Sequence, residues 1–163
     1  MTDKTDRLPI LEQRRIEAAV IKPIHDEMVA QIGREKADAI LGAAIEKAAI
    51  AQGQEFADEH GGDTSLDGFA DIQKHWTANG ALEIEPLERT DTTLHFNVTR
   101  CRYAETYKAM GLGAIGHLLS CNRDGTFCTG YDPRITLERT QTLMSGASHC
   151  DFRYSFEPEA DTE

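Results

Sequence analysis

Apolar positions in the first half of the chain recur every three or four residues. Ile16, Ala19, Val20, Pro23, Ile24 and Met28 follow this spacing, which is that of one helix face. Pro23 sits inside the pattern, so a kink or break is expected there, and Gly33 ends the segment. A second helix carries Ala37, Ile40, Leu41, Ala44, Ile45, Ala48 and Phe56 on one side, and His60-Gly61-Gly62 stops it. Thr64-Ser65 offers a cap for a shorter third helix with Leu66, Phe69, Ile72 and Trp76 inward.

After Gly80 the period falls to two. Leu82, Ile84 and Leu87 suggest a strand ending near Pro86, while Leu94, Phe96 and Val98 alternate with His95, Asn97 and Thr99 as a half-buried strand does. A short helix is expected from Cys101 to Met110, a glycine-rich stretch from Gly111 to Gly116, and a helical turn over His117–Cys121. Tyr131-Asp132-Pro133-Arg134 reads as a turn, Ile135–Met144 as a strand, Ser145-Gly146 as a turn, and His149–Phe156 as a final strand. The chain therefore reads as one α+β domain over residues 1–163, with N-terminal helices (1–79) packed on a mostly antiparallel sheet with short helical insertions (80–157). Residues 158–163 form an acidic tail.

Composition narrows the partners. The 163 residues hold 17 Lys and Arg against 28 Asp and Glu, a net charge of −11. Nucleic-acid backbones and anionic membranes both reward a basic patch, so neither is expected as the main partner. No apolar run approaches the roughly 18 residues of a membrane span. The N-terminal stretch MTDKTDRLPILEQRR has no apolar signal core, so a cytoplasmic location is expected. The apolar helix faces could cover either the sheet or a second subunit, which leaves a homo-oligomer open.

Cys101, Cys121, Cys128 and Cys150 all lie in the last 63 residues. Without an export signal they read as reduced thiols, a nucleophile or metal ligands rather than as disulfides. Three polar clusters carry the candidate chemistry: Cys101, Tyr103, Glu105 and Tyr107; Ser120 to Asp124; and Arg139, Gln141, His149, Cys150 and Asp151. Their convergence on one pocket would supply a nucleophile, a base and charge stabilisers.

Each candidate has a plainer reading beside it. On a regular strand His149, Asp151 and Arg153 share one face, and Cys150 shares the other with Phe152, Tyr154 and Phe156. A cysteine among aromatics is most often a small buried hydrophobe, which fits Cys150 and Cys128. Cys101 and Cys121 adjoin Arg102 and Arg123, which could lower a thiol pKa. Asp124 precedes Gly125 and could be a turn residue alone, and Arg139 could be half of a surface ion pair. His25, His60, His75, His95 and His117 are scattered. Cys101, Cys121, His149 and Cys150 are zinc-ligand types, but their spacing lacks a CxxC pair. No cofactor is expected, with zinc as the one to keep in view. The chain has no P-loop or GxSxG elbow, and Gly111, Gly113 and Gly116 match only bare glycine spacing.

The segments "TRCRYAETYKAMGL" and "LSCNRDGTFCTGYDPRITLERTQTLMSGASHCDFRY" resemble the L-2-amino-thiazoline-4-carboxylic acid hydrolase family. So do "RRIEAAVIKPI" and "GREKADAILGAAIEKAAIAQG". The resemblance covers nearly the whole chain. More distantly, the closing strand, glycine turn and "HCDF" are similar to vinyl-reductase-like small-molecule-binding domains, which build a mixed α/β fold on an antiparallel sheet.

The resemblance implies a hydrolase that opens a small cyclic amidine or amide, such as L-2-amino-thiazoline-4-carboxylate, to give N-carbamoyl-L-cysteine. Two routes fit the residues. In one, a Cys121 thiolate attacks while His149 shuttles protons, oriented by Asp151 or Asp124. In the other, a carboxylate or His149 activates water, and a protonated acid or Arg139 stabilises the intermediate. Arg139 is expected to hold the substrate carboxylate. Gln141, on the same strand face, would hold the polar edge of the ring, with Glu105, Cys101 and Cys150 also at the substrate. The alternatives are a non-catalytic small-molecule-binding domain and a zinc-stabilised structural domain.

Overall fold

A computed structural model describes residues 7–159. Two long helices lead, α1 (Ile10–Ile32) and α2 (Arg34–Glu59), followed by α3 (Leu66–Ile72) and the single turn α4 (Lys74–Thr77). The sheet part holds β1 (Leu82–Arg89), β2 (Thr93–Cys101), α5 (Arg102–Ala109), α6 (Arg123–Tyr131), β3 (Ile135–Glu138) and β4 (Cys150–Phe156). The α+β class is as expected: a four-stranded sheet in the order β1-β2-β4-β3, antiparallel at every pairing. No helix among the described residues is long and apolar enough to cross a membrane. Of the expected acidic tail, residues 160–163 lie outside the described residues.

Local chemistry explains most boundaries. Ser65 caps α3 by accepting from the Gly68 N–H at 3.1 Å. Cys101 closes β2 and caps α5, its sulfur accepting from Ala104 N at 3.4 Å. Gly33, at φ +86° between α1 and α2, takes a conformation that costs other residues strain. The turn over His117–Cys121 is π-helical, closed by Asn122 N donating to His117 O at 2.8 Å.

Several expectations are corrected. Helix α1 continues unbroken through Pro23, with buried residues on both sides of it. Its buried positions are Ile10, Arg14, Ala18 and His25, whereas Ile16, Val20 and Ile24 are 47%, 60% and 54% exposed. The three- and four-residue spacing points to the large aliphatic residues as the inner face, but α1 turns small and charged residues inward to meet the charged groups described below. Strand β1 runs past Pro86 to Arg89, with register shifts on either side of the proline. An edge strand tolerates the missing N–H. The strand expected over Ile135–Met144 stops at Glu138, because Asp151 captures the backbone beyond it.

Helix α6 replaces the turn that Asp124-Gly125 predicts. Gly125, Thr126, Thr129 and Gly130 are poor helix formers, and tertiary packing overrides them. Helices α2 and α6 are pressed backbone to backbone: a Cβ on Gly130 would lie 1.9 Å from Ile50 O, and one on Gly53 2.2 Å from Phe127 O.

The core has two lobes. One joins the inner sheet face to α3, α6 and the end of α2. The other joins α1, α2 and α5. Trp76, Leu82 and Cys101 pack against both lobes, and the candidate site lies along this seam.

Candidate functional site

Two small cavities adjoin at the seam, and Trp76, Leu82, Asp124 and Phe152 line both. The first, about 50 Å³, is the thiol cavity; Cys101, Cys121, Cys150 and Arg139 lie on its wall. The second, about 40 Å³, is the arginine cavity, lined by Arg14, Arg123, Gln52 and Gln73 with aromatic rings between. At roughly 10–15 Å³ of such space per water, the pair offers room for a small molecule and little more.

Three elements deliver the thiols. Cys101 comes from the end of β2, Cys121 from the π-helical turn and Cys150 from the start of β4. Strand parity placed Cys150 with Phe152 and Tyr154, and all three are buried. That aromatic face is also the cavity face.

The expected thiol activation by neighbouring arginines is absent. Arg102 bonds to Asn79 O, and Arg123 to Leu119 O and Glu17. Burial pushes Cys121 up to about 12, with Asp124 adding to the rise. It pushes Cys101 up to about 11 and raises Cys150 as well. Desolvation penalises a thiolate more than the nearby cations favour it. The three sulfurs therefore face the cavity as neutral S–H groups.

Asp124 sits in the first turn of α6 and accepts from Arg139 Nη1 at 2.5 Å. Arg139 also donates to Cys121 O at 2.9 Å, and its guanidinium lies 5.1 Å from the Phe152 ring centroid. Burial raises the Asp124 pKa above the ordinary carboxylate value against the opposing pull of Arg139, Arg14 and Arg123. Its side chain is nonetheless 26% accessible, and it lines both cavities. A carboxylate so placed can accept a proton from water inside the cavity.

The remaining expected residues lie elsewhere. Asp151 faces away from the cavity and ties down the loop after β3. It accepts from Thr140 N and Gln141 N, each at 2.9 Å, and from Thr140 Oγ1. These bonds hold its carboxyl down at about 2 despite the opposing cost of burial. His149 bonds to Ser148 Oγ at 2.9 Å, and Gln141 Nε2 donates to His149 O at 3.0 Å. Neither His149 nor Gln141 lines either cavity. Glu105 is exposed and paired with Arg100 Nε at 2.9 Å. Among the described residues no three His, Cys, Asp or Glu side chains are grouped to hold a metal ion.

Sequence reasoning missed Arg14, Gln52, Gln73 and the inward role of Arg123. Arg14 carried one available signal, because it falls three and four residues from Leu11 and Ala18 on the inner face of α1. Trp76 is expected as an inward core residue, and its ring also walls both cavities.

A family model described as L-2-amino-thiazoline-4-carboxylic acid hydrolase matches residues 13–154. No functionally curated protein matches the chain. Among solved structures, the chain is similar to the phenol-responsive sensory domain of the transcription activator PoxR with phenol. The TM-score is 0.55 at 14% identity, covering 85% of this chain and 74% of that one. It is also similar to trafficking protein particle complex subunit 3 from Naegleria fowleri covalently bound to palmitic acid. There the TM-score is 0.51 at 9% identity, covering 88% of this chain and 97% of that one. At these identities the likeness is one of fold.

Proposed function

The chain belongs to the L-2-amino-thiazoline-4-carboxylic acid hydrolase family, and from that premise we propose that it opens a small cyclic amidine by direct attack of water, with Asp124 as the base. The observation that carries this reading is the position of Asp124, a carboxylate with a raised pKa that lines both cavities and is anchored to Arg139.

Water gives one proton to Asp124 as its oxygen bonds to the amidinium carbon held between nitrogen and sulfur. The C–S bond then breaks, its electron pair stays on sulfur, and Asp124 returns the proton there. The second water proton leaves to solvent as the carbonyl forms. The products are a carbamoyl group and a free thiol. Arg139 steadies the Asp124 carboxylate in its ionised, proton-accepting form. The neutral thiols of Cys101, Cys121 and Cys150 give the reacting end of the ring a soft, dry wall. Soluble cytoplasmic action on a small metabolite, without a resident cofactor, belongs to the same proposal.

The experiment is thiol release. Reductant-free protein is incubated with L-2-amino-thiazoline-4-carboxylate, and a chromogenic disulfide reads the protein-free filtrate. Release above the enzyme-free control, absent in Asp124→Asn, is the expected result. Release undiminished in the variant rejects Asp124 as the base.

One observation favours a second reading, a binding domain without catalysis. All three cavity thiols are held neutral, so the site carries no ready nucleophile of its own. Of the two similar structures, one is a sensory domain with phenol and the other a subunit covalently bound to palmitic acid. A ligand-induced rise in melting temperature with no thiol release would select this reading.

A further inference from the structure

Three arginines line the paired cavities, and two carboxylates pair with them. Arg139 is matched by Asp124. Arg14 and Arg123 share one carboxylate, Glu17, at 2.9 Å and 3.3 Å. Arg14 is 3% exposed and Arg123 9% exposed, so water does little to screen the surplus positive charge. Burying a cation without a counter-charge is costly, and a chain of net charge −11 has no general need of interior arginines.

Structural duties use only part of the donor capacity. Arg14 spends Nη1 on Glu17 and Nη2 on Gln52 Oε1 at 2.9 Å. Arg123 spends Nε on Leu119 O at 2.8 Å and Nη2 on Glu17. Arg123 Nη1 has no hydrogen-bond partner among the described residues and is not fully enclosed. Both arginines line the arginine cavity, where Phe69, Phe96, Phe127 and Phe152 flank them with flat apolar surface. Their mutual repulsion adds to burial in pulling Arg123 down to about 10, a pull that a bound anion would relieve.

We infer that Arg14 and Arg123 form a receptor for the carboxylate of a small planar acid, entering the cavity carboxylate-first with its ring between the phenylalanines. The inference rests on the proposed function only in placing the reacting end of the ligand at Asp124. It reassigns the carboxylate from Arg139, which is already occupied by Asp124 and Cys121 O, to the opposite end of the site.

The test compares two probes that cannot be opened, 2-aminothiazole-4-carboxylate and its uncharged carboxamide, by calorimetric titration of the full chain. Charge-assisted hydrogen bonds predict that the carboxylate binds about tenfold tighter or more. Arg123→Gln and Arg14→Lys should erase that preference while leaving carboxamide affinity within about threefold, an outcome that a purely structural role does not produce. Should a variant fail to fold, 15N spectra of wild-type arginine Nε–H groups give the answer. The carboxylate, and not the carboxamide, should shift the Arg123 signal. Equal affinity of the probes, binding of neither, or a preference that survives in folded variants overturns the receptor. Binding without thiol release from the thiazoline keeps the receptor and rejects hydrolysis. Thiol release without a charge preference does the reverse.

Discussion

Arg139 grips Asp124, which lines both cavities, at 2.5 Å and so joins the loop after β3 to the first turn of α6. Burial holds the Asp124 pKa above the ordinary carboxylate value. Activity that needs the ionised form should rise with pH along an acid limb lying above that value. Asp124→Asn should reduce turnover by about 10²–10⁴-fold, the usual worth of a positioned base, with the melting transition still cooperative. Weakening the cation with Arg139→Lys favours the neutral acid, so the limb should move to higher pH. A limb unmoved by this change would separate Arg139 from the titration.

Neutral thiols make a contrasting prediction. With Cys121 held near 12 and Cys101 near 11, iodoacetamide at pH 7.5 should label the native chain far more slowly than the unfolded chain. Cys121→Ser should keep turnover within about tenfold, because the serine occupies the same wall. Complete loss of turnover in a folded Cys121→Ser variant would restore a covalent route.

Two glycines of α6 should respond in opposite ways to the same change. A Cβ at Gly130 would collide with the Ile50 carbonyl on α2, so Gly130→Ala should destabilise by about 1–3 kcal/mol or more. A Cβ at Gly125 meets nothing within 4 Å, and Gly125→Ala should stabilise by about 0.4–1 kcal/mol. Urea titration of both variants checks the pair. Equal effects would mean that α2 and α6 are not in backbone contact.

Asp151 should matter to stability rather than to chemistry. Its carboxyl is held down at about 2, below its unfolded value of roughly 4. Its contribution is therefore present in full above pH 4 and fades as pH falls through 2. Asp151→Asn should cost about 1 kcal/mol at pH 7 and converge with the wild type near pH 2, as measured by denaturation across pH. A convergence point at neutral pH would contradict the hydrogen-bonded carboxylate.

Wherever local pattern and burial coincide, the fold was legible. The alternation of Leu94, Phe96 and Val98 placed β2 correctly, and parity on β4 put Cys150 with the aromatic residues. Leu41, Ile45 and Phe56 marked the inner face of α2. Helix α6 was illegible because Gly125 and Gly130 argue locally against a helix, and only contact with α2 secures it. The inner face of α1 was misread because Arg14 and His25 are buried by partners far along the chain, Gln52 and Asp38, while isoleucines face outward. Residue type alone does not reveal such a reversal. For the site, Cys101, Cys121, Asp124, Arg139 and Cys150 do converge, whereas His149, Asp151, Gln141 and Glu105 take other partners.

The irregularity of β1 has a consequence for how copies of this protein can meet. The strand forms one margin of the sheet, carries Pro86 in its middle, shifts register twice and presents exposed Glu83, Glu85 and Glu88. Pro86 interrupts the run of backbone donors along the strand, and the glutamates of two such margins would repel. The opposite margin, β3, is four residues long. Among the described residues neither margin offers a long, regular strand on which chains crowded together at high concentration or during synthesis could template, and fibre-like stacking through the sheet is disfavoured at both.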